Sequence, residues 1–418
     1  LEGQGHHYTI IWPYEEMTAG RPLKRSAIYG VLQEKRACFG AKFGWERPNW
    51  FAPEGVEPVE INSFTRPNWH HYVGAEHTAC RTAAALFDQS SFAKFTLVGR
   101  DAEAVLSNIC AGDVATPPGR ITYTAMLNRH GGIECDLTVT RIAEDQYYIV
   151  TGTGFATHDF DHINRLIPEG AHASLVDVTS AFGVLSLMGP NARKILEAAA
   201  EGDVSAEAFP FMAAQEIQIG GAPVRALRLT YVGELGWELH IPSEYMLTVY
   251  ETLRAEGAAF GLVDAGYRAI DSLRLEKGYR AWAADIGPDH TPLEAGIGFA
   301  VAFDKKSNFI GRDTLLRQRE APLTKRLVTL TSEDDPELLL TGRETIIRDG
   351  ERVGWLSSGG YGHTIGKHID MGYVRHAGGV TSEYLQAGTY RLESANRQVE
   401  ATLHLRPLCD PDNNRIKA

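Results

Sequence analysis

In Asn128-Arg-His-Gly-Gly-Ile-Glu-Cys-Asp-Leu-Thr-Val-Thr140, two glycines turn the chain into a run of strict alternation. Ile133, Cys135, Leu137 and Val139 fall on one face of a strand, and Glu134, Asp136, Thr138 and Thr140 on the other. The polar turn at 143–145 and the apolar run at 146–151 complete a hairpin signature, with a further strand at 121–127 upstream. A polar strand face ordinarily looks to solvent. The alternative is a carboxylate facing a cavity, where desolvation raises its pKa into the range useful to a general base. The residues of this segment alone leave both readings open.

Outward from this hairpin, strands and helices mix without steady βαβ alternation, which points to an α+β fold. Helices are expected over 76–85, 101–108 (with Asp101 as cap), 157–166, 191–200, 243–256 and 267–278. Strands are expected over 92–98, 185–188, 225–231 and 237–241. Beyond 321 strand patterns dominate, at 325–331, 344–348, 352–356, 370–375, 390–393 and 400–405, the sign of a small all-β barrel or sandwich. The expected division is an arm over 1–55, a two-lobed body over 56–320 and a barrel over 321–418.

Length and charge narrow the function. The 418 residues carry 41 basic and 53 acidic side chains, a net charge of −12, which suits two or three domains rather than one. That acidity, with no long basic run, argues against nucleic acid or an anionic membrane as the main partner. No apolar stretch approaches the ~18 residues of a membrane helix. Cys38, Cys80, Cys110, Cys135 and Cys409 are scattered and never spaced CxxC, so a reduced compartment without disulfides or structural zinc is expected. Such a compartment would be the cytoplasm, or the mitochondrial matrix in a eukaryote. Leu1 is not an initiator methionine, and Leu1–Gly5 reads as a remnant; the chain is expected to be part of something longer.

Several motifs resemble chemistry without carrying it. Gly152-Thr-Gly-Phe-Ala-Thr157 after a strand imitates a dinucleotide fingerprint but lacks the third glycine. His158 and His162 share a helix face, yet Asp159 stands where a zincin needs glutamate and no third ligand is evident, so no metal is expected. No GxSxG elbow supports serine hydrolysis. The repeat Arg47-Pro-Asn-Trp50 and Arg66-Pro-Asn-Trp69 reads as two turns whose tryptophans pack an arm onto the body. Tyr231-Val-Gly-Glu-Leu-Gly-Trp-Glu238 is more suggestive: its glycines permit close approach, and Glu238 sits in an apolar strand, either paired structurally or accepting from a ligand.

Taken together, 120–136, 231–238, Asp271-Ser-Leu-Arg-Leu-Glu276, Asp285-Ile-Gly-Pro-Asp-His-Thr-Pro-Leu-Glu294 and 353–374 resemble, in order, the aminomethyltransferases, the T-protein of the glycine cleavage system. Tyr8-Thr-Ile-Ile-Trp-Pro13 and Phe43-Gly-Trp-Glu-Arg-Pro-Asn-Trp-Phe51 look instead like the folate half of dimethylglycine and sarcosine dehydrogenases, where a flavin domain precedes. The resemblance implies a three-lobed cloverleaf around a tetrahydrofolate pocket. It also implies transfer of a one-carbon unit from a methylated amine, as iminium or formaldehyde, to give 5,10-methylenetetrahydrofolate. By position, Asp136 matches the essential aspartate and Glu238 the pterin-binding glutamate. Tyr123, Tyr231 and Tyr279 match flanking aromatics, and Thr138 would share the face of Asp136. FAD would belong only to a preceding half or a partner.

This chain departs from T-proteins at three points. Cys135-Asp136 replaces paired aspartates, Val232 replaces a threonine, and Ile270 stands where an arginine precedes Asp-Ser-Leu-Arg. The last contact is then lost or supplied by Arg268. Two alternatives stand beside the folate half of a flavin dehydrogenase: a free-standing folate-dependent demethylase or T-protein, and a non-catalytic folate-binding regulatory module.

Overall fold

The computed structural model describes residues 2–418; Leu1 lies outside them. Three sheets form three lobes. The hairpin around Asp136 lies in a five-stranded antiparallel sheet, ordered Ile121–Leu127, Ile133–Ala143, Gln146–Thr151, Ala93–Val98 and Ser174–Asp177. A seven-stranded sheet is centred on Gly236–Pro242, which pairs with Ala222–Leu227 on one side and Phe182–Met188 on the other. The third lobe is a closed six-stranded barrel. Lys325–Ser332 pairs with both Lys367–Arg375 and Arg397–His404 and so closes the ring.

The strand bearing Asp136 starts where it does because of its glycines. Gly131 holds φ +80, and a Cβ on Gly132 would strike the carbonyl oxygen of Pro288, so the turn closes against the 285–294 segment only without side chains. Ile133 N–H then donates to Gly287 and His290 carbonyls. Its apolar face, Cys135, Leu137 and Val139, joins Phe95, Leu97 and Ile149 in a buried core.

Residues ahead of the body are built into it. Ile28, Leu32 and Ala37 sit in the core of the seven-stranded lobe beside Leu185 and Trp237. A hairpin of Ala37–Lys42 and Trp45–Phe51 follows. Trp50, fully buried, stacks on Tyr72 at 5.3 Å, and Trp69 belongs to the same core cluster, so both tryptophans of the repeat do anchor this segment. Buried Glu76 accepts from Phe51 N–H (2.7 Å) and Gly266 N–H (2.9 Å), tying the hairpin to helix Tyr267–Lys277.

That helix is also pinned to the barrel. Glu276 accepts from Arg81 (3.1 Å) and from Thr364 N–H of a barrel loop (2.8 Å), and its own carbonyl receives the Leu408 and Cys409 N–H groups. Burial opposes its charge, but His77 and Arg81 hold the carboxyl down to about 2.

The expected elements are present with shifted limits. The helix expected over 76–85 runs His70–Thr82, and Ala84–Asp88 is a separate, wholly buried strand. Asp101 does not cap its helix; its carboxylate accepts the His172 N–H at 2.7 Å. The strand expected over 352–356 extends across Glu351–Gly362. No helix among the described residues is long and apolar enough to cross a membrane.

Candidate functional site

Asp136 faces inward. The Tyr123 hydroxyl donates to its Oδ2 at 3.0 Å across the ladder in which Ala125 opposes Asp136 and Tyr123 opposes Thr138. Thr138 therefore shares the face of both. Burial pushes the Asp136 carboxyl up to about 6; the Tyr123 bond works against that and the nearby Asp159 adds to it. Burial and the Asp136 charge together drive the Tyr123 hydroxyl well above its ordinary range, so it remains a donor. The carboxyl is half-buried, with the Tyr123 hydroxyl as its side-chain partner.

Tyr231 and Tyr279 form a flat wall. Their rings stack at 5.9 Å and 13°, and the Tyr231 hydroxyl donates to the Arg280 carbonyl at 2.9 Å. Tyr279 is placed by the left-handed Gly278, which ends helix Tyr267–Lys277 and lets the Tyr279 N–H return to the Arg274 carbonyl. Phe299 stands beside Tyr123, centroids 6.1 Å apart, and is 79% exposed. An exposed phenylalanine beside the tyrosine that binds Asp136 is a signal that composition and spacing do not provide.

Glu238 approaches from the seven-stranded sheet. It is half-buried, pairs in register with Leu227 and Ser186, and its Oε2 lies 3.6 Å from His240 Nε2, outside hydrogen-bond range. His240 Nδ1 contacts the Tyr148 hydroxyl at 3.0 Å, bridging to the sheet that carries Asp136. Buried Lys94 is a charge near Glu238 that the strand pattern conceals. Its Nζ donates to the carbonyls of Ser90 and Phe182, and burial lowers its pKa to about 7, with Asp88, Asp177 and Glu238 opposing.

Comparison with known proteins gives the family. Residues 28–305 match the GCVT N-terminal domain model, and 325–410 the glycine cleavage T-protein C-terminal barrel domain. The chain belongs to the glycine cleavage T-protein family. It is 39% identical to mouse mitochondrial sarcosine dehydrogenase and 35% identical to mouse mitochondrial dimethylglycine dehydrogenase, over 100% and 89% of its length. It spans about half the length of these relatives, 49% and 43%. Among solved structures, the glycine cleavage aminomethyltransferase T of Bartonella henselae superposes with a TM-score of 0.78 at 26% identity, covering 93% of this chain and 99% of that one.

The departures from the T-protein pattern have local explanations. Val232 and Ile270 are buried in the core that holds Trp50 and Trp69, and Cys135 points into the core of the five-stranded lobe. Arg268, the expected substitute for the missing arginine, is paired within the chain. Its guanidinium is bound by Glu60 at 2.7 Å, lies 3.6 Å from Glu16, and packs over Tyr14 and Trp69. The carboxylates of the amino-terminal segment already occupy it.

The remaining motif-like features resolve as follows. Gly152 has an ordinary φ of −64, and a Cβ on Gly154 would meet the ring of Phe43, so these glycines accommodate the neighbouring hairpin. His158 pairs with Asp159 at 2.8 Å rather than acting with His162. The ligating atoms of Cys135, His158 and Asp159 do converge within 4.8 Å, a third-ligand possibility that spacing does not show. Asp159, however, also accepts from Thr151 at 2.5 Å, and burial with the Asp159 charge drives the Cys135 thiol far upward.

Proposed function

We propose that this chain is the folate half of an amine-demethylating enzyme. In this reading a one-carbon unit passes from a small methylated amine such as sarcosine or dimethylglycine to tetrahydrofolate, giving 5,10-methylenetetrahydrofolate. The observation that carries it is the Asp136–Tyr123 pair: a carboxyl pushed up to about 6 with one neutral donor, beside the ring of Phe299.

The residues fit the ligand. Tyr231 and Tyr279 offer a stacked aromatic surface for a flat pterin. Glu238, with 13% of its side chain exposed, offers two acceptor oxygens for a paired donor edge, a match that a neutral side chain makes less well. Thr138 adds a hydroxyl on the Asp136 face. Tetrahydrofolate, when bound, supplies the nucleophilic amine that takes the carbon. Asp136 accepts the proton released there and stabilises neighbouring positive charge, while Tyr123 holds the carboxylate's orientation.

Oxidation of the amine falls to a flavin-bearing half or partner, and the site of action is the cytoplasm or, in a eukaryote, the mitochondrial matrix. The mitochondrial relatives support the second location. Isothermal titration of the chain with tetrahydrofolate tests the reading; no heat at millimolar ligand overturns it. Binding without formation of 5,10-methylenetetrahydrofolate from a supplied one-carbon donor would mark a regulatory module instead.

A further inference from the structure

Glu238 has one polar neighbour on its own strand face. Along Gly236–Pro242, the side chains of Trp237, Leu239 and Ile241 belong to the core of the seven-stranded lobe. Glu238 and His240 share the other face, as residues two apart do in a strand. The rest of the sheet supplies Glu238 poorly. Opposite it stand Leu227, which is apolar, and Ser186, whose hydroxyl goes to Gln89. Among the described residues, its one basic neighbour within ion-pair distance is His240, with Nε2 3.6 Å from Oε2.

His240 is wholly buried, and its Nε2 has no hydrogen-bond partner. Its other nitrogen is held from a different sheet. Tyr148, on strand Gln146–Thr151, sets its hydroxyl 3.0 Å from Nδ1, with the two rings edge to face at 5.3 Å and 86°. This contact decides the tautomer. Burial raises the Tyr148 hydroxyl above its ordinary range, so it keeps its proton. When it donates to Nδ1, the ring proton sits on Nε2, on the side of the Glu238 carboxylate. The reverse tautomer sets a lone pair against a carboxylate oxygen, acceptor against acceptor. Burial also lowers the pKa of His240; Glu238 opposes this, and Lys94 and Arg225 add to it. The ring is a neutral group with a single N–H donor.

We propose that His240 is a positioning residue for Glu238: fixed by Tyr148 in its Nε2–H form, it steadies Oε2 and turns the remaining lone pairs of the carboxylate toward the ligand. The 3.6 Å gap has to close by roughly 0.5 Å to make the bond, a tightening that site hydrogen bonds commonly undergo when the ligand arrives. An ionised carboxylate has about four acceptor positions. A bond from His240 fills one and leaves enough for a paired donor edge such as that of a pterin. Because Tyr148 lies in the sheet that carries Asp136, the chain Tyr148–His240–Glu238 also ties the two halves of the candidate site together.

The inference rests on the proposed binding of tetrahydrofolate by Glu238, and two substitutions separate it from a packing role. His240→Gln carries an amide N–H close to where Nε2 lies. His240→Asn keeps an acceptor close to where Nδ1 lies and offers Glu238 no donor. Titration of the full chain with tetrahydrofolate should find the Asn variant weaker by roughly tenfold and the Gln variant within about threefold of wild type. In turnover, the loss in the Asn variant should fall on KM for tetrahydrofolate more than on kcat. Nuclear magnetic resonance of the full chain with isotope-labelled histidine reads the tautomer directly. The signal that disappears in His240→Gln should be an Nε2–H imidazole before ligand is added, and it should shift when tetrahydrofolate binds. This reading decides the matter even where the Asn variant fails to fold. An Nδ1–H tautomer, or equal tetrahydrofolate affinity in folded Asn and Gln variants, overturns the proposal and leaves folate binding intact. A wild type that binds no tetrahydrofolate overturns the folate reading along with it.

Discussion

Asp136 and Arg268 are both charged residues in motif-bearing stretches, both withdrawn from bulk water, and they end in opposite situations. Asp136 has one neutral donor, Tyr123, and a carboxyl pushed up to about 6. Arg268 has two carboxylates and two aromatic rings around it. A charge already matched by its own chain has little left to offer a ligand, whereas a charge kept under-matched in a cleft retains its chemistry. The difference lies in partners contributed from elsewhere: Glu60 is 208 residues from Arg268, and Tyr123 only 13 from Asp136.

The comparison is tested most strongly at Asp136. Asp136→Asn should slow formation of 5,10-methylenetetrahydrofolate above its uncatalysed background by roughly 10²–10⁴-fold, with tetrahydrofolate affinity nearly unchanged. A rate equal to wild type would remove Asp136 from the chemistry. Arg268→Met should do the reverse. Stranding Glu60 and Glu16 should cost about 3 kcal/mol of stability, read by denaturant unfolding, while the rate per folded molecule holds. A variant that is stable but slow would return Arg268 to the site.

Glu238→Gln should weaken tetrahydrofolate by ~1.5–3 kcal/mol, the value of hydrogen bonds to a charged group, with a smaller effect on the transfer rate. Next comes the pH dependence. Transfer needs ionised Asp136, so the rate should fall as pH drops through about 6. Stability runs the other way. A carboxyl raised in the folded state adds stability that is fully present below its ordinary 3.8 and lost as pH climbs through about 6. Asp136→Asn should therefore melt above wild type at neutral pH, and the gap should close below pH ~4. Smallest is Tyr123→Phe: loss of the donor that lowers Asp136 should move the rate profile to higher pH. An unmoved profile would show that the 3.0 Å bond is incidental to the carboxyl's titration.

Much of the barrel and the Asp136 hairpin was legible because period-2 alternation between turn residues reports local structure directly. Ala84–Asp88 was not: five buried residues directly after a helix carry no alternation, so the run reads as more helix. Ala37–Lys42 and Trp45–Phe51 were hidden by Pro48, Asn49 and Arg47 within the second strand, residues that usually speak against one. At the site, Asp136, Tyr123, Tyr231, Tyr279 and Glu238 could be nominated from motifs, but their pairing could not. Lys94 looked like one polar position on a strand, and only the fold shows it buried near Glu238. What neutralises Arg268 lies in a distant segment, so its pairing was not legible from spacing.

The bonds converging on Glu276 bear on movement. With the helix, the barrel loop at Thr364 and the carboxyl-terminal segment at Leu408 all fastened to one residue, these parts should travel as a single rigid body. The five-stranded lobe is held by the Ile133 bonds to Gly287 and His290, the isolated bridge Arg120–Ala213 and the Tyr148–His240 bond. If the molecule opens to admit a ligand, the hinge belongs on that side, beyond the Ile133 anchor, and Tyr279 stays on the frame.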